Sequence, residues 1–259
     1  MTQPAYPGIP AARIRRLNDR EPVPGRYVLY WMQQSQRAEL NHALEAAVHA
    51  ANARGVGLVV AFGLTDNYPE ANLRHYAFML EGLAETAAAL ARRGATLIAR
   101  RGSPPDVALE LGRGAALTVC DCGYLRHQRA WREAVAAKAS CPVIQVESDV
   151  VVPVEAATLK AEIGARTLRP RIHRRLAEFM APLAETSLAV KGAGRELAGL
   201  DLSDPQAILK RLRLDRSVGP VRRFAGGTAE AKRRFAGFLK ERLARYADNH
   251  NQPQTDDVS

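Results

Sequence analysis

Residues 56–62 read VGLVVAF, with no polar side chain among them. A strand with one face in water alternates apolar and polar residues, so an unbroken apolar run needs cover on both faces. Parallel strands flanked by helices supply that cover. The surrounding pattern agrees. Residues 26–32 (RYVLYWM), 95–100, 115–120 and 142–147 read as further strands. Residues 36–54 read as a helix with Leu40, Leu44, Ala47, Val48 and Ala51 on one face. Residues 72–93 form a second, with a stripe of Leu73, Tyr76, Leu80, Leu83, Ala87 and Leu90, closed by Gly94. Pro104 and Pro105 open a short helix, where a missing N–H costs nothing, and residues 125–139 supply another. Five strands separated by helices predict an α/β fold: a doubly wound five-stranded parallel sheet with right-handed crossovers.

The pattern changes near residue 150. Segments 155–165 and 169–182 read as helical, 183–203 as a linker and 205–213 as a helix, followed by a Gly- and Arg-rich stretch to Gly227. Thr228 is placed to cap a last helix reaching about residue 247, with Phe235, Phe238, Leu239, Leu243 and Tyr246 on its apolar side. The expected layout is a Pro-rich irregular arm over 1–25, an α/β domain over 26–155, helices and linker over 156–227, and the start of an all-α domain, cut short, over 228–259.

The chain carries a net charge of +10, unevenly spread. Residues 166–246 hold 19 Lys and Arg against 8 Asp and Glu. That excess suits a polyanionic partner, or a merely arginine-rich surface. No apolar run reaches the roughly 18 residues of a membrane span, and no signal-peptide core opens the chain, so a soluble cytoplasmic protein is expected. Cys120, Cys122 and Cys141 make no disulfide framework; Cys120 is expected to end a buried strand and Cys122 to lie in the following loop.

Ligands of doubly wound sheets sit beyond the carboxyl ends of the strands, where the strand order reverses. The loops 31–37, 63–72, 101–106 and 121–126 are therefore the candidates. No G-x-G-x-x-G, P-loop, H-E-x-x-H or G-x-S-x-G motif occurs. Trp31 is placed either to stack on a planar ligand or to pack in the core. Arg37 and Arg74, at helix starts, are anion-binding candidates or solvated cations. His75, His127 and His173 lack a partner at metal-ligand spacing. From these residues alone the yield is a ligand-binding α/β domain with a basic helical extension.

Several segments together resemble class II cyclobutane pyrimidine dimer photolyases. They are Tyr30-Trp31-Met32 with Gln36-Arg37 and Asn41-His42-Ala43-Leu44; Phe62-Gly63-Leu64-Thr65-Asp66 with Arg74-His75-Tyr76 through Leu83; Arg101-Gly102-Ser103-Pro104; Glu147-Ser148-Asp149 through Val154; and Thr167-Leu168-Arg169-Pro170-Arg171. The resemblance covers roughly residues 12–259. It implies a helical domain binding reduced FAD, light-driven electron transfer to a pyrimidine dimer flipped out of damaged DNA, and an antenna pigment, often a deazaflavin, on the α/β domain. Extruding a lesion whose pairing is already impaired costs less than extruding an intact base.

Carried over residue by residue, the resemblance makes Tyr246 a flavin contact and Val258 and Ser259 the opening of the loop that holds the flavin phosphates. His250 stands where a DNA-contacting arginine is expected, a departure that weakens it as a DNA-binding residue. No catalytic residue and no metal site is assigned. Because the sequence stops at Ser259, the chain alone is expected to be inactive, with a separately encoded C-terminal half as a partner. The alternatives are a non-enzymatic pigment- or nucleotide-binding module and a basic nucleic-acid-binding fragment.

Overall fold

The apolar run becomes the centre of a sheet. In the computed structural model, which describes residues 6–221 and 223–255, all eight residues of β3 (Gly57–Leu64) are buried. So are all five of β2 (Tyr27–Trp31), all seven of β5 (Ala115–Asp121) and all four of β6 (Val143–Val146). Of the five expected strands, β4 (Thr96–Arg101), at an edge, is the one partly open. These five strands are parallel, paired as Leu29 with Val59, Val60 with Leu97, Val28 with Leu117 and Thr118 with Val143. The crossover helices are α1 (His42–Arg54), α2 (Leu73–Arg92), α3 (Pro104–Gly112) and α4 (Arg126–Lys138).

Alternation along the strands sends neighbours to opposite faces. Val28, Tyr30, Leu58, Val60 and Val119 pack with Leu44 and Val48 of α1. Leu29, Val59, Ala61 and Ile98 pack with Val107 and Leu111 of α3 on the other face.

The expected five parallel strands gain a sixth. Residues 1–25, read as an irregular arm, contain β1 (Ile14–Arg16), which pairs antiparallel with β6, Ile14 opposite Val146. The full order is β1-β6-β5-β2-β3-β4. Arg13 holds β1 in place: its guanidinium donates to the carbonyls of Glu147 and Val150 at 3.0 Å and of Val151 at 2.6 Å. Such a short arginine-bearing strand covers an edge that would otherwise invite pairing with another chain.

Helix α1 begins later than its apolar pattern suggests. Leu40, expected on its buried face, has φ +49° and is exposed; Asn41 caps the helix, its side-chain oxygen accepting from Leu44 N at 3.1 Å. The cap fixes the start, and the left-handed residue before it turns the chain away. Gly55, at φ +64°, closes the helix.

After β6, only Val154–Ala157 (α5) of segment 155–165 is helical, while α6 (Ala165–Phe179) begins before the second expected helix and contains Pro170. Residues 183–200 carry no regular element, but they are not a free linker. Leu188 is buried in the core, Ala193 and Leu197 pack beside Val59 and Ile98, and Leu200 N donates to Ala99 O at 2.7 Å.

By internal packing the chain divides into two units: residues 1–66 with 87–200, and residues 67–86 with 201–259. The second contains α7 (Pro205–Arg211), α8 (Thr228–Gly237), one π-helical turn over Phe238–Arg242 and α9 (Leu243–Asn249), beside the first part of α2. Thr228 is the first residue of α8 and not its cap; that place falls to Gly227, at φ +118°. The cap comes from elsewhere in this unit. Glu85 accepts from Ala229 N at 2.9 Å, and Glu81 from Gly226 N at 2.7 Å, which puts a carboxylate at the positive end of α8. A side chain at position 226 would run into the Phe78 carbonyl, so glycine is required for this approach.

Candidate ligand crevice at the carboxyl edge of the sheet

Strands β2, β3 and β4 run outward in one direction and β5 and β6 in the other, so the order reverses between β2 and β5. Loops diverge from such a point and leave a crevice. Here its floor is Asp121, the last residue of β5, which is fully buried. It accepts from Tyr30 Oη at 2.7 Å and from the backbone N–H groups of Gln34 and Ser35 at 2.8 Å each. Burial raises the Asp121 carboxyl above its ordinary range, while the bonds from Tyr30, Ser35 and Gln34 pull it back. Burial likewise holds the Tyr30 phenol well above its usual value, with Asp121 adding to the effect.

Asn41 ties this floor to α1. Its amide nitrogen donates to Tyr30 Oη at 2.9 Å and to the carbonyls of Ser35 and Arg37 at 3.0 Å each. Gln33 bridges the ends of β2 and β3: its oxygen accepts from Trp31 Nε1 and Gly63 N at 3.1 Å each, and its nitrogen donates to Gly63 O at 3.0 Å. Gln128 Nε2 on α4 donates to Gln34 Oε1 at 2.6 Å. Trp31, Gln33, Gln34, Asp121, Gln128 and Arg132 enclose a cavity of about 20 Å³. That is room for about one water. A planar three-ring pigment of the kind the resemblance implies does not fit these residues as they stand.

Most sequence-derived candidates are engaged within the fold. Trp31 is a core residue with its indole N–H on Gln33. Arg37 has found its anion internally: it bonds Asp149 at 2.6 Å and Ser148 O at 2.9 Å. Arg74 is exposed at the start of α2, and His75 Nδ1 accepts from Asn72 N at 3.1 Å. His127 stacks edge-on against Trp131 at 5.0 Å. Cys120 ends β5 buried and Cys122 follows in the loop; burial pushes the Cys122 thiol up to about 11 and the Cys120 thiol further, so neither is a thiolate near neutrality. Among the described residues no three His, Cys, Asp or Glu side chains cluster as a metal site. No described helix is long and apolar enough to cross a membrane.

In the second unit Tyr246 lies on α9, edge-on to Phe238 at 5.6 Å and 5.3 Å from the His250 ring. His250 follows α9, exposed, its Nδ1 3.0 Å from Tyr246 O. Val258 and Ser259 lie outside the described residues. Sequence reasoning did not single out Asp121, Gln34, Gln128 or Arg132. The one available signal was a carboxylate closing an apolar run beside the point of reversal.

His42, the first residue of α1, carries a testable consequence. Its buried Nδ1 has no hydrogen-bond partner, and burial, with Arg13 and Arg37 nearby, lowers its pKa from 6.5 to about 4. The unfolded chain therefore takes up this proton first. The neutral histidine's stabilisation is complete above about pH 6.5 and is lost as pH falls towards 4. Discounted for partial exposure, the loss is about 1–2 kcal/mol. Urea midpoints at pH 7.5 and 5 should converge in His42→Gln relative to the parent chain; an unchanged gap would refute the assignment.

A sheet with a polar crevice at its reversal defines the class: a doubly wound α/β domain, here followed by a helical unit. Comparison with known proteins narrows it. The family model for DNA photolyase matches residues 28–188. The deoxyribodipyrimidine photo-lyase of Methanothermobacter thermautotrophicus is 42% identical over 246 residues, covering 95% of this chain and 54% of the relative. Those of Potorous tridactylus and Oryza sativa are 32% and 30% identical, over 89% and 93% of this chain and 44% and 50% of their own lengths. The chain belongs to the DNA photolyase family. It spans about half the length of the curated relatives it matches.

Proposed function

We propose that this chain is the α/β half, with the opening of the flavin-binding half, of a cytoplasmic class II photolyase that repairs cyclobutane pyrimidine dimers in DNA. The observation that carries the reading is the 42% identity to a deoxyribodipyrimidine photo-lyase over 95% of the chain, sheet and helical unit alike. The basic bias of residues 166–246 has the sign that damaged DNA requires. When bound, reduced FAD would supply an electron to the dimer under light.

Of the three residues read as flavin contacts, Tyr246 is the one among the described residues. It offers a partly open aromatic edge on α9, next to exposed Leu239 and Leu243, and that apolar surface suits the side of an isoalloxazine ring. Val258 and Ser259 remain proposals, as does a weak DNA contact at His250. The remaining flavin residues would lie in the part of the curated relatives that this chain does not span.

A chimaera tests this directly. Residues 1–259 joined to the remainder of the Methanothermobacter relative should retain flavin and restore dimer-containing DNA under blue light. The isolated chain with added reduced FAD is expected to leave the dimer intact. A flavin-loaded chimaera that binds such DNA without splitting the dimer would sink the proposal.

A further inference from the structure

We propose that a second cleft, at the β5–β6 side of the sheet, binds a phosphorylated small molecule of mononucleotide size through Arg129 and Arg132, backed by the charge of Arg13. The cleft has a volume of about 620 Å³. That lies within the range of small-molecule sites. Cys122, Gly123 and Tyr124 after β5, Glu147 after β6, the strand β1, and Arg129 and Arg132 of α4 wall it. Gly123 and Arg132 also border the crevice, so the two spaces adjoin.

Charge is what distinguishes this cleft. Five guanidiniums face it: Arg13, Arg15, Arg129, Arg132 and Arg175. Two are neutralised locally, Arg15 by Glu155 at 3.1 Å and Arg175 by Glu178 at 2.6 Å. Among the described residues Arg129 and Arg132 form no ion pair with a carboxylate, while Arg13 is attracted by Glu147 without pairing with it. Arg13 and Arg132 are also buried, at 3% and 8% exposure. Backbone carbonyls hold them: Arg132 donates to Gly123 O at 2.5 Å, and Arg13 to the three carbonyls after β6. Carbonyls orient a guanidinium without cancelling its charge, and Arg13 Nε is buried with no hydrogen-bond partner. A buried cation left without a counter-charge is costly unless something anionic completes it. Of the two acids in the wall, Glu155 is paired with Arg15, while Glu147, which accepts from Tyr124 Oη at 2.6 Å and from Val154 N at 3.2 Å, offsets part of the charge on Arg13 and leaves that of Arg129 and Arg132.

The shape and the donors select the ligand. Arginine forks match phosphate oxygens two at a time. Arg129 and Arg132 present theirs to the cleft, while Arg13, held by three carbonyls, adds positive charge behind them. Together they favour a diphosphate over a single carboxylate. Exposed Tyr124 at the rim offers an aromatic face for a base. This inference does not depend on the photolyase reading.

Calorimetric titration of the whole chain with pyrophosphate, ADP and adenosine tests it. Pyrophosphate and ADP should bind with Kd on the order of 0.1 mM, and adenosine far more weakly. Arg129 is exposed, so Arg129→Ala should fold; it should weaken ADP binding about tenfold, the loss of one charge-assisted contact. Arg126→Ala, on the same helix but outside the cleft wall, should leave binding unchanged. Absence of heat with pyrophosphate up to about 10 mM overturns the proposal. So does equal weakening by both variants, or a short single-stranded oligonucleotide that binds more tightly than ADP, since either would mean a diffuse basic surface.

Discussion

Replacing Glu45 by alanine should lower the unfolding free energy by about 3–5 kcal/mol, as expected when one partner of a buried ion pair is removed. Glu45 lies in the first turn of α1, with its side chain 4% exposed. One carboxylate oxygen meets Arg93 at 2.6 Å; the other accepts from Thr186 N at 2.8 Å. Arg93 is nearly as buried and also donates to Ala38 O at 2.9 Å and Thr186 O at 3.3 Å. Its remaining carboxylate, Glu185 at 3.3 Å, is largely exposed and screened by water. Truncating Glu45 therefore strands a guanidinium and a backbone donor. The same change loosens residues 185–188 from α1, because Thr186 loses its acceptor. The double variant Glu45→Leu, Arg93→Met should cost much less than the two single losses combined, since no unpaired charge remains. Denaturation in urea of the four chains gives the coupling; additive losses would show that the pair contributes nothing beyond its separate members.

This pair also shows where the sequence was opaque. The strands were legible because full burial on both faces leaves a nearly unbroken apolar run: β3 has no polar interruption, and β5 has only the small Thr118 before its end. Glu45 carried no such mark. A charged residue in a helix reads as solvated, and only the arrival of Arg93 and of residues 185–186 from distant segments encloses it. Strand β1 was hidden for the opposite reason. Two of its three residues are exposed arginines, and it is made a strand by the open edge of β6 and by the anchoring of Arg13, neither of which is local. The stretch 183–200 looked like linker because it has no period, yet Leu188, Ala193 and Leu197 are sealed against the sheet. The apolar stripe of the last helix was legible; the π turn at Phe238–Arg242 within it was not, since no residue type marks it. The candidate loops came from a topological rule, which located the crevice but not the side chains that fill it.

Asp121→Ala should be as damaging as the loss of Glu45, at about 3–5 kcal/mol, because it removes the acceptor on which three buried donors converge. Tyr30 Oη, Gln34 N and Ser35 N all point at this carboxylate, the first and last of them in buried bonds. Asp121→Asn keeps the volume and one oxygen, so the Tyr30 bond can survive. Its amide nitrogen then faces the Gln34 and Ser35 N–H groups, donor against donor, and the cost should be about 2–3 kcal/mol. The loop following β2 should respond before the core does, since those two N–H bonds set its path from Trp31 towards Asn41. Hydrogen exchange distinguishes this from global unfolding: Gln34 and Ser35 amides should lose protection in Asp121→Asn while Val59 and Val119, deep in the sheet, keep theirs. Tyr30→Phe supplies the complementary measurement. It deletes one donor and leaves the two backbone bonds, so it should cost about 1 kcal/mol and leave the loop amides protected. Equal loss of protection in the loop and in the central strands of Asp121→Asn would mean that the carboxylate supports the sheet as a whole, and the crevice would lose its standing as a separately organised site.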